Sequence, residues 1–331
     1  MRVATFNTEL SRKGPGLLLR DLTQGRAEDI TEVLAVITTV RPDILHLMDI
    51  DHDLGGFALF ALQEALRDAG LDYPHAFSAR PNAGVETGLD MDGNGELGEA
   101  RDAQGYGRYT GQGGMAILSR FPLGEVRDFT DFLWADLPGA IPPLVGAQPF
   151  PSPEAFAIQR LPSVNHWDVE VLTPDGPLHL LAFHATTPVY DGDEDRNGRR
   201  NHDEISFWAR YLDGDLPMPP PAAPVVILGG ASLDPEDGEG RHDAIRALLR
   251  DPRLQDPRPA SDGARQAANS AHTGDAALDT VDYNDPRPGN LRVDYVLPSA
   301  QLSVIDAGTH WPVGQVAQTR HHMVWVDVTV P

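Results

Sequence analysis

The chain contains no cysteine, which excludes disulfide staples, thiolate metal sites and a thiol nucleophile together. Any chemistry must come from oxygen and imidazole groups. Positive charge is scarce as well: 26 Lys and Arg face 49 Asp and Glu, for a formal net charge of -23. Such a chain is not drawn to a phosphate polyanion unless cations or a local basic patch intervene, so nucleic acid is a poor default partner. The same acidity fits a salt-tolerant, exported or cation-binding protein, or simply a solvated acidic surface. No apolar run approaches the roughly 18 residues of a membrane span. The opening residues MRVATFNTEL lack the basic and apolar segments of a signal peptide, although a removed leader replaced by Met1 is compatible with them.

What is present suffices for a large core. Of 331 residues, 41% are hydrophobic, enough for one large α/β domain or two modest ones. Strand patterns are expected at Val3 to Asn7, Ile44 to Met48, Met115 to Ser119, Val225 to Leu228, Arg292 to Leu297 and Met323 to Val328. His166 to Leu172 and Leu178 to His184, joined by Thr173-Pro174-Asp175-Gly176-Pro177, predict an antiparallel pair. Helical spacing predicts helices over Asp29 to Val40, Phe57 to Ala69, Asp203 to Tyr211 and His242 to Leu249. Two stretches, 82–114 and 251–290, are rich in turn formers and keep no period. Interleaved strands and helices without a linker or repeat predict a single α/β domain over 1–331 with long loops.

Two acidic runs have the spacing of calcium loops. Asp193-Glu-Asp-Arg-Asn-Gly-Arg-Arg-Asn-His-Asp-Glu204 places oxygen side chains at positions 1, 3 and 5, glycine at 6 and glutamate at 12. Calcium takes six to eight oxygens at about 2.3–2.6 Å. The candidate ligands are Asp193, Asp195, Asn197, Glu204 and the carbonyl of Arg199. The alternative is an acidic turn capped by Asp203 and Glu204 at the start of a helix. The second run opens in the same way with Asp90, Asp92, Asn94 and Gly95 but has Arg101 at position 12, so Glu99 would have to close it. A wrapped calcium leaves no place for substrate, so both loops are expected to be structural.

Phosphoester hydrolysis needs a cation on the phosphoryl oxygens, a base to aim water and donors for developing charge. Asn7, Asp49, His184, Asp294 and the His321-His322 pair end or border the expected strands. In chain order, RVATFNTEL, RPDIL at Arg41, GQGGMAILSR at Gly111, LHLLAFHATTPVYDGDEDRNGRRNHDEISFW at Leu178, RVDYVLPS at Arg292 and HHMVWVDV resemble the endonuclease/exonuclease/phosphatase (DNase I-like) superfamily. The nearest resemblance is to a bacterial, often exported subfamily, which implies a secreted or periplasmic location. It covers nearly the whole chain. The resemblance implies a two-sheet β-sandwich flanked by helices, a four-layer α/β arrangement, with the site at one edge. It also implies metal roles for Asn7 and Asp49 with Mg²⁺ or Mn²⁺, a phosphate contact from His184, an Asp294–His321 dyad, and Gln112 beside the phosphate.

The chain departs from that pattern where chemistry is densest. Asp49 stands for the family glutamate, shortening its reach by roughly 1.5 Å. Gly229-Gly230-Ala231-Ser232 replaces Gly-Asp-x-Asn, and Thr319-Arg320-His321 replaces Ser-Asp-His. Losing a positioned acid or base removes about 10²–10⁴-fold of rate, and losing an oxyanion donor about 10²–10³-fold, without simple additivity. Arg320 could instead clamp a phosphate with its guanidinium fork. The expectation is thus a divergent metal-dependent phosphoester hydrolase acting on a phosphomonoester or phosphodiester. The alternative is a catalytically silent, calcium-stabilised protein that binds a phosphate-containing ligand. No basic aromatic surface in the sequence favours DNA binding.

Overall fold

In a computed structural model, residues 1–314 and 317–330 are described. In chain order the elements are β1 (Arg2–Asn7), α1 (Leu17–Gln24), α2 (Glu28–Val40), β2 (Ile44–Ile50), α3 (Phe57–Asp68), β3 (His75–Phe77), β4 (Gly114–Ser119) and β5 (Leu123–Asp128). Then follow a small ribbon of β6 (Leu144–Val145) and β7 (Gln148–Pro149), α4 (Pro153–Ile158), β8 (His166–Thr173), β9 (Gly176–His184) and α5 (Arg196–Asp213). The chain closes with β10 (Val225–Gly230), α6 (His242–Leu249), α7 (Asp262–Gln266), β11 (Asp294–Pro298), β12 (Ser303–His310) and β13 (Met323–Thr329).

Two sheets form, ordered β12-β13-β1-β2-β4-β3 and β11-β10-β9-β8-β5. Alternation along each strand divides its side chains between two cores. In the first sheet Val3, Ile44 and Met48 face the second, packing with Trp167, Leu180, Val226 and Leu228. Their neighbours Ala4, Phe6, Leu45 and Leu47 pack with α1, α2 and α3. On the far side Leu181, Phe183, Val225 and Ile227 meet Phe207, Trp208 and Ile245 of α5 and α6. The result is helix, sheet, sheet, helix: the DNase I-like sandwich implied by the resemblance.

Parallel pairing of β1 with β2 and of β9 with β10 brings their C-terminal ends to one edge. Register then aligns His184, Gly230 and Asp294 across β9, β10 and β11, since Gly230 pairs with both others. Open α/β sheets commonly place their sites at such strand ends.

The expected calcium loop at Asp193 is corrected by α5, which begins at Arg196 and holds Asn197 and Arg199 in its first turns. Asn197 donates its side-chain N–H to the Val189 carbonyl at 2.8 Å. Asp195 accepts from Arg241 Nε at 2.7 Å. Gly198 is required by proximity, because a Cβ there would lie 2.0 Å from Asp195 Oδ1. Glu204 is fully buried; it accepts from Ser163 N at 2.5 Å, Ser163 Oγ at 2.7 Å and Thr186 N at 2.7 Å. It therefore closes no loop around Asp193.

The buried face of α5 is instead a polar clamp. Arg200 donates to the carbonyls of Leu161, Gln104, Arg160 and Pro162. Asn201 donates to Thr186 and Ala231, both at 2.7 Å, and Asp203 accepts from Trp134 Nε1 and Ile141 N. Changing Glu204 to Ala strands the Ser163 and Thr186 N–H groups, at about 1–3 kcal/mol each. A thermal melt is expected to show a fall of several degrees with the far-UV circular dichroism retained; an unshifted transition would contradict the clamp.

Candidate active-site cleft

The cleft grows from the strand ends. After β1, Asn7 is buried and its Oδ1 accepts from Glu9 N at 3.3 Å. In β2 a register shift between Met48 and Ile50 marks a bulge, and Asp49 within it has φ 51. Glu9 and Ser232 also take positive φ, 50 and 52. Left-handed non-glycine backbone costs energy and gathers at functional sites. The bulge re-aims Asp49, bringing Oδ1 within 2.8 Å of where a Gly113 Cβ would stand. Gly113 N meanwhile donates to Asp51 Oδ1 at 3.1 Å, so the two carboxylates share one glycine turn.

Between the sheets Asp294 at the start of β11 and His321 just before β13 form the dyad implied by the resemblance, with Nδ1 and Oδ2 2.8 Å apart. Thr280 Oγ1 donates to the same oxygen at 3.1 Å and accepts from the main-chain N–H groups of Val293 and Asp294. Burial pulls the His321 pKa down, but the Asp294 charge and hydrogen bond, helped by Glu9, outweigh it and raise it above 6.5. His184 goes the other way: burial lowers it to about 4, against Asp294 and with His321. One histidine is thus held neutral and the other toward imidazolium. Burial followed by the charges of Glu9 and Asp51 pushes Asp49 up to about 6, opposed by His321 and Arg320.

The position of the missing carboxylate is closely packed. A Cβ on Gly230 would lie 3.0 Å from His184 Cδ2, 3.1 Å from Met48 Sδ and 3.5 Å from Asp294 Oδ1. This position is therefore the junction of the two sheets and the dyad, and the Met48 thioether packs into it. Asp294 Oδ1 and His184 Nδ1 are both buried without a hydrogen-bond partner. Buried polar atoms are seldom left so; Asp294 Oδ1 borders the Gly230 position, toward which His184 turns its Cδ2 edge. Ser232 does not face this position with a free hydroxyl; its Oγ donates to the Ala185 carbonyl at 3.0 Å.

Arg320 is not the free phosphate clamp anticipated from sequence. Its main-chain N donates to Glu9 Oε2 at 2.5 Å, its Nε to Glu9 Oε1 at 2.8 Å, and Nη2 also bonds Oε1. Gln112 is likewise turned within its own loop, where its Oε1 accepts from Arg108 N at 2.7 Å. Sequence reasoning overlooked Glu9 and also Tyr283, whose hydroxyl lies 3.5 Å from His321 Nε2 and whose ring sits 5.4 Å from the Arg320 guanidinium carbon.

The donor set fits the family's Mg²⁺ or Mn²⁺ poorly. The Glu9 carboxylate is held by the positive Arg320 guanidinium, and Gly230 brings no carboxylate. Among the described residues the acidic cluster compact enough for a cation is Asp90, Asp92 and Asp102, with ligand atoms within 4.8 Å of one another. This corrects the expected closure of the second loop. Glu99 instead accepts from Asn94 Nδ2 at 2.6 Å, while Asp102 reaches the two aspartates.

The raised His321 pKa fixes a sign. The dyad's contribution to stability is complete below 6.5, the ordinary histidine value, and is lost as pH rises through the higher folded value. Imidazole NMR titration is expected to place His321 above 6.5, and below it in Asp294→Asn. An unchanged His321 midpoint in that variant would refute the dyad.

The chain matches the Endonuclease/Exonuclease/phosphatase family model over residues 4–321. Among solved structures it is similar to an endonuclease/exonuclease/phosphatase from Beutenbergia cavernae DSM 12333, with 18% identity and a TM-score of 0.59, covering 100% of this chain and 71% of that one. A family protein from Leptotrichia buccalis C-1013-b shows 12% identity and a TM-score of 0.55 over 99% of both chains. Humanized D. rerio TDP2 shows 11% and 0.52 over 100% of this chain and 99% of that one. These likenesses establish the fold. No curated protein matches the chain.

Proposed function

This chain belongs to the Endonuclease/Exonuclease/phosphatase family, and from that premise we propose that its cleft binds a phosphoester while turnover by the divalent-metal route is strongly reduced. The observation that carries the reading is the row His184, Gly230 and Asp294, in which the histidine edge and the unpartnered Asp294 Oδ1 border a position without its carboxylate. A neutral His184 can donate one N–H to a phosphoryl oxygen. His321, held toward imidazolium by Asp294, supplies positive charge beside it. The net charge of -23 favours a small phosphorylated ligand over nucleic acid.

Inorganic phosphate titrated in EDTA and followed by calorimetry is expected to bind, and His184→Ala and His321→Ala are each expected to weaken it at least about tenfold, the 1.4 kcal/mol of one good hydrogen bond to a charged group. Release from bis-p-nitrophenyl phosphate with Mg²⁺, Mn²⁺ or Ca²⁺ is expected near background. Restoring Gly230→Asp, Ser232→Asn and Arg320→Asp, with Met48→Ala to make room, is expected to raise it about 10²-fold or more. A second reading, a working hydrolase, is favoured by the intact Asp294–His321 dyad. EDTA-sensitive release by the unaltered chain, lost in His321→Ala, would establish that reading in place of the first.

Calcium belongs to this proposal as a structural ion in the 90–102 loop, held by Asp90, Asp92 and Asp102 with Asn94 nearby. A ligand of the folded state alone raises the melting temperature. Calcium is expected to do so for this chain and not for Asp90→Asn/Asp92→Asn; equal shifts in both would remove the loop from the account.

A further inference from the structure

We infer that Arg320 is a built-in counter-cation, occupying with its guanidinium the place at the head of β1 and β2 where a divalent ion would otherwise balance the carboxylates. The inference rests on the phosphoester reading only for the identity of the ligand. Three acidic side chains gather at this point: Glu9 beyond β1, Asp49 in the β2 bulge and Asp51 just after it. Asp51 is satisfied by the main-chain N–H groups of Arg12 and Gly113, at 2.9 and 3.1 Å. Glu9 is satisfied by Arg320 alone through three bonds, one from the main chain and two from the guanidinium.

The pair is asymmetric in a useful way. The Glu9 side chain is 18% exposed and that of Arg320 62% exposed, so the carboxylate is sunk in the cleft and the cation covers it from outside. A magnesium-like ion demands oxygens with free lone pairs in near-octahedral array. Both Glu9 oxygens already accept from Arg320, and an ion approaching Glu9 meets the positive guanidinium. Arginine carries its charge at every accessible pH and cannot be chelated. Charge balance here is therefore insensitive to EDTA.

The same group keeps a free edge. Nη1 of Arg320 makes no hydrogen bond among the described residues, and the guanidinium carbon lies 5.4 Å from the Tyr283 ring, whose hydroxyl adjoins His321. A guanidinium anchored through Nε and Nη2 can offer Nη1 to one oxygen of a phosphate with little further loss of side-chain freedom. The cleft is accordingly assigned to metal-free recognition of a phosphate monoester or diester.

The test uses the full chain carrying Asp90→Asn/Asp92→Asn, so that the loop takes up no ion, with free Mn²⁺ followed by electron paramagnetic resonance. With Arg320 intact, no cleft-bound Mn²⁺ is expected. Arg320→Gln, shown to be folded by circular dichroism, is expected to take up one ion at least tenfold more tightly, and Glu9→Gln added to it is expected to abolish that gain. In EDTA, Arg320→Gln is expected to weaken inorganic phosphate at least tenfold. The inference is overturned by an ion bound to the Arg320-intact chain that disappears in Glu9→Gln, or by a folded Arg320→Gln that gains none. The broader phosphoester reading fails separately, if phosphate binding ignores His184 and His321 whatever the manganese result.

Discussion

Much of this architecture hangs on the polar face of one helix. Segments without regular structure must still find partners for their backbone groups, and α5 supplies them from Arg200, Asn201, Asp203 and Glu204. Arg200 ties the long 82–114 loop to the irregular segment leading into β8 through the carbonyls of Gln104, Arg160, Leu161 and Pro162. Asn201 ties the second residue after β9 to the first after β10, through Thr186 and Ala231. Buried charge is costly unless every partner is present. Here they are present, and the strand ends bearing His184 and Gly230 are fixed against each other as a result.

The cleft that this frame positions has kept one half of its chemistry and altered the other. His184 on β9, Asp294 on β11 and His321 before β13 retain a neutral histidine, a carboxylate and a histidine held toward its charged form. At the end of β10 and ahead of β13, a glycine and an arginine stand where the family pattern has carboxylates. Both exchanges are accommodated physically: Met48 packs into the space beside Gly230, and Arg320 meets an acidic partner in Glu9. Substitutions that leave no void and no bare charge let the fold persist while the site's chemistry changes.

The sequence was legible where strands alternate between two apolar faces. Val3 to Asn7, Ile44 to Met48 and Leu178 to His184 are such strands, and their order along the chain carried the fold. Edge strands β5 and β12 were missed, because most of their residues are exposed or half-exposed and leave little apolar pattern. The first half of α5 read as an ion-binding loop because its inward positions are charged; helical period was there, but in polar residues. Glu9 sits two places after Asn7, yet its partner is 311 residues away, and no local pattern announces that pairing. Asp102 and Tyr283 were hidden for the same reason, each brought in by the folding of a long irregular loop.

The central claim is that the cleft holds its own cation. Crystals grown with Mn²⁺ and inorganic phosphate, with data collected at the manganese absorption edge, test it most directly. The account predicts phosphate beside His184 and His321, Arg320 still on Glu9, and no anomalous peak among Asn7, Glu9 and Asp49. A manganese ion coordinated by Glu9 and Asp49, with Arg320 swung away, would contradict it.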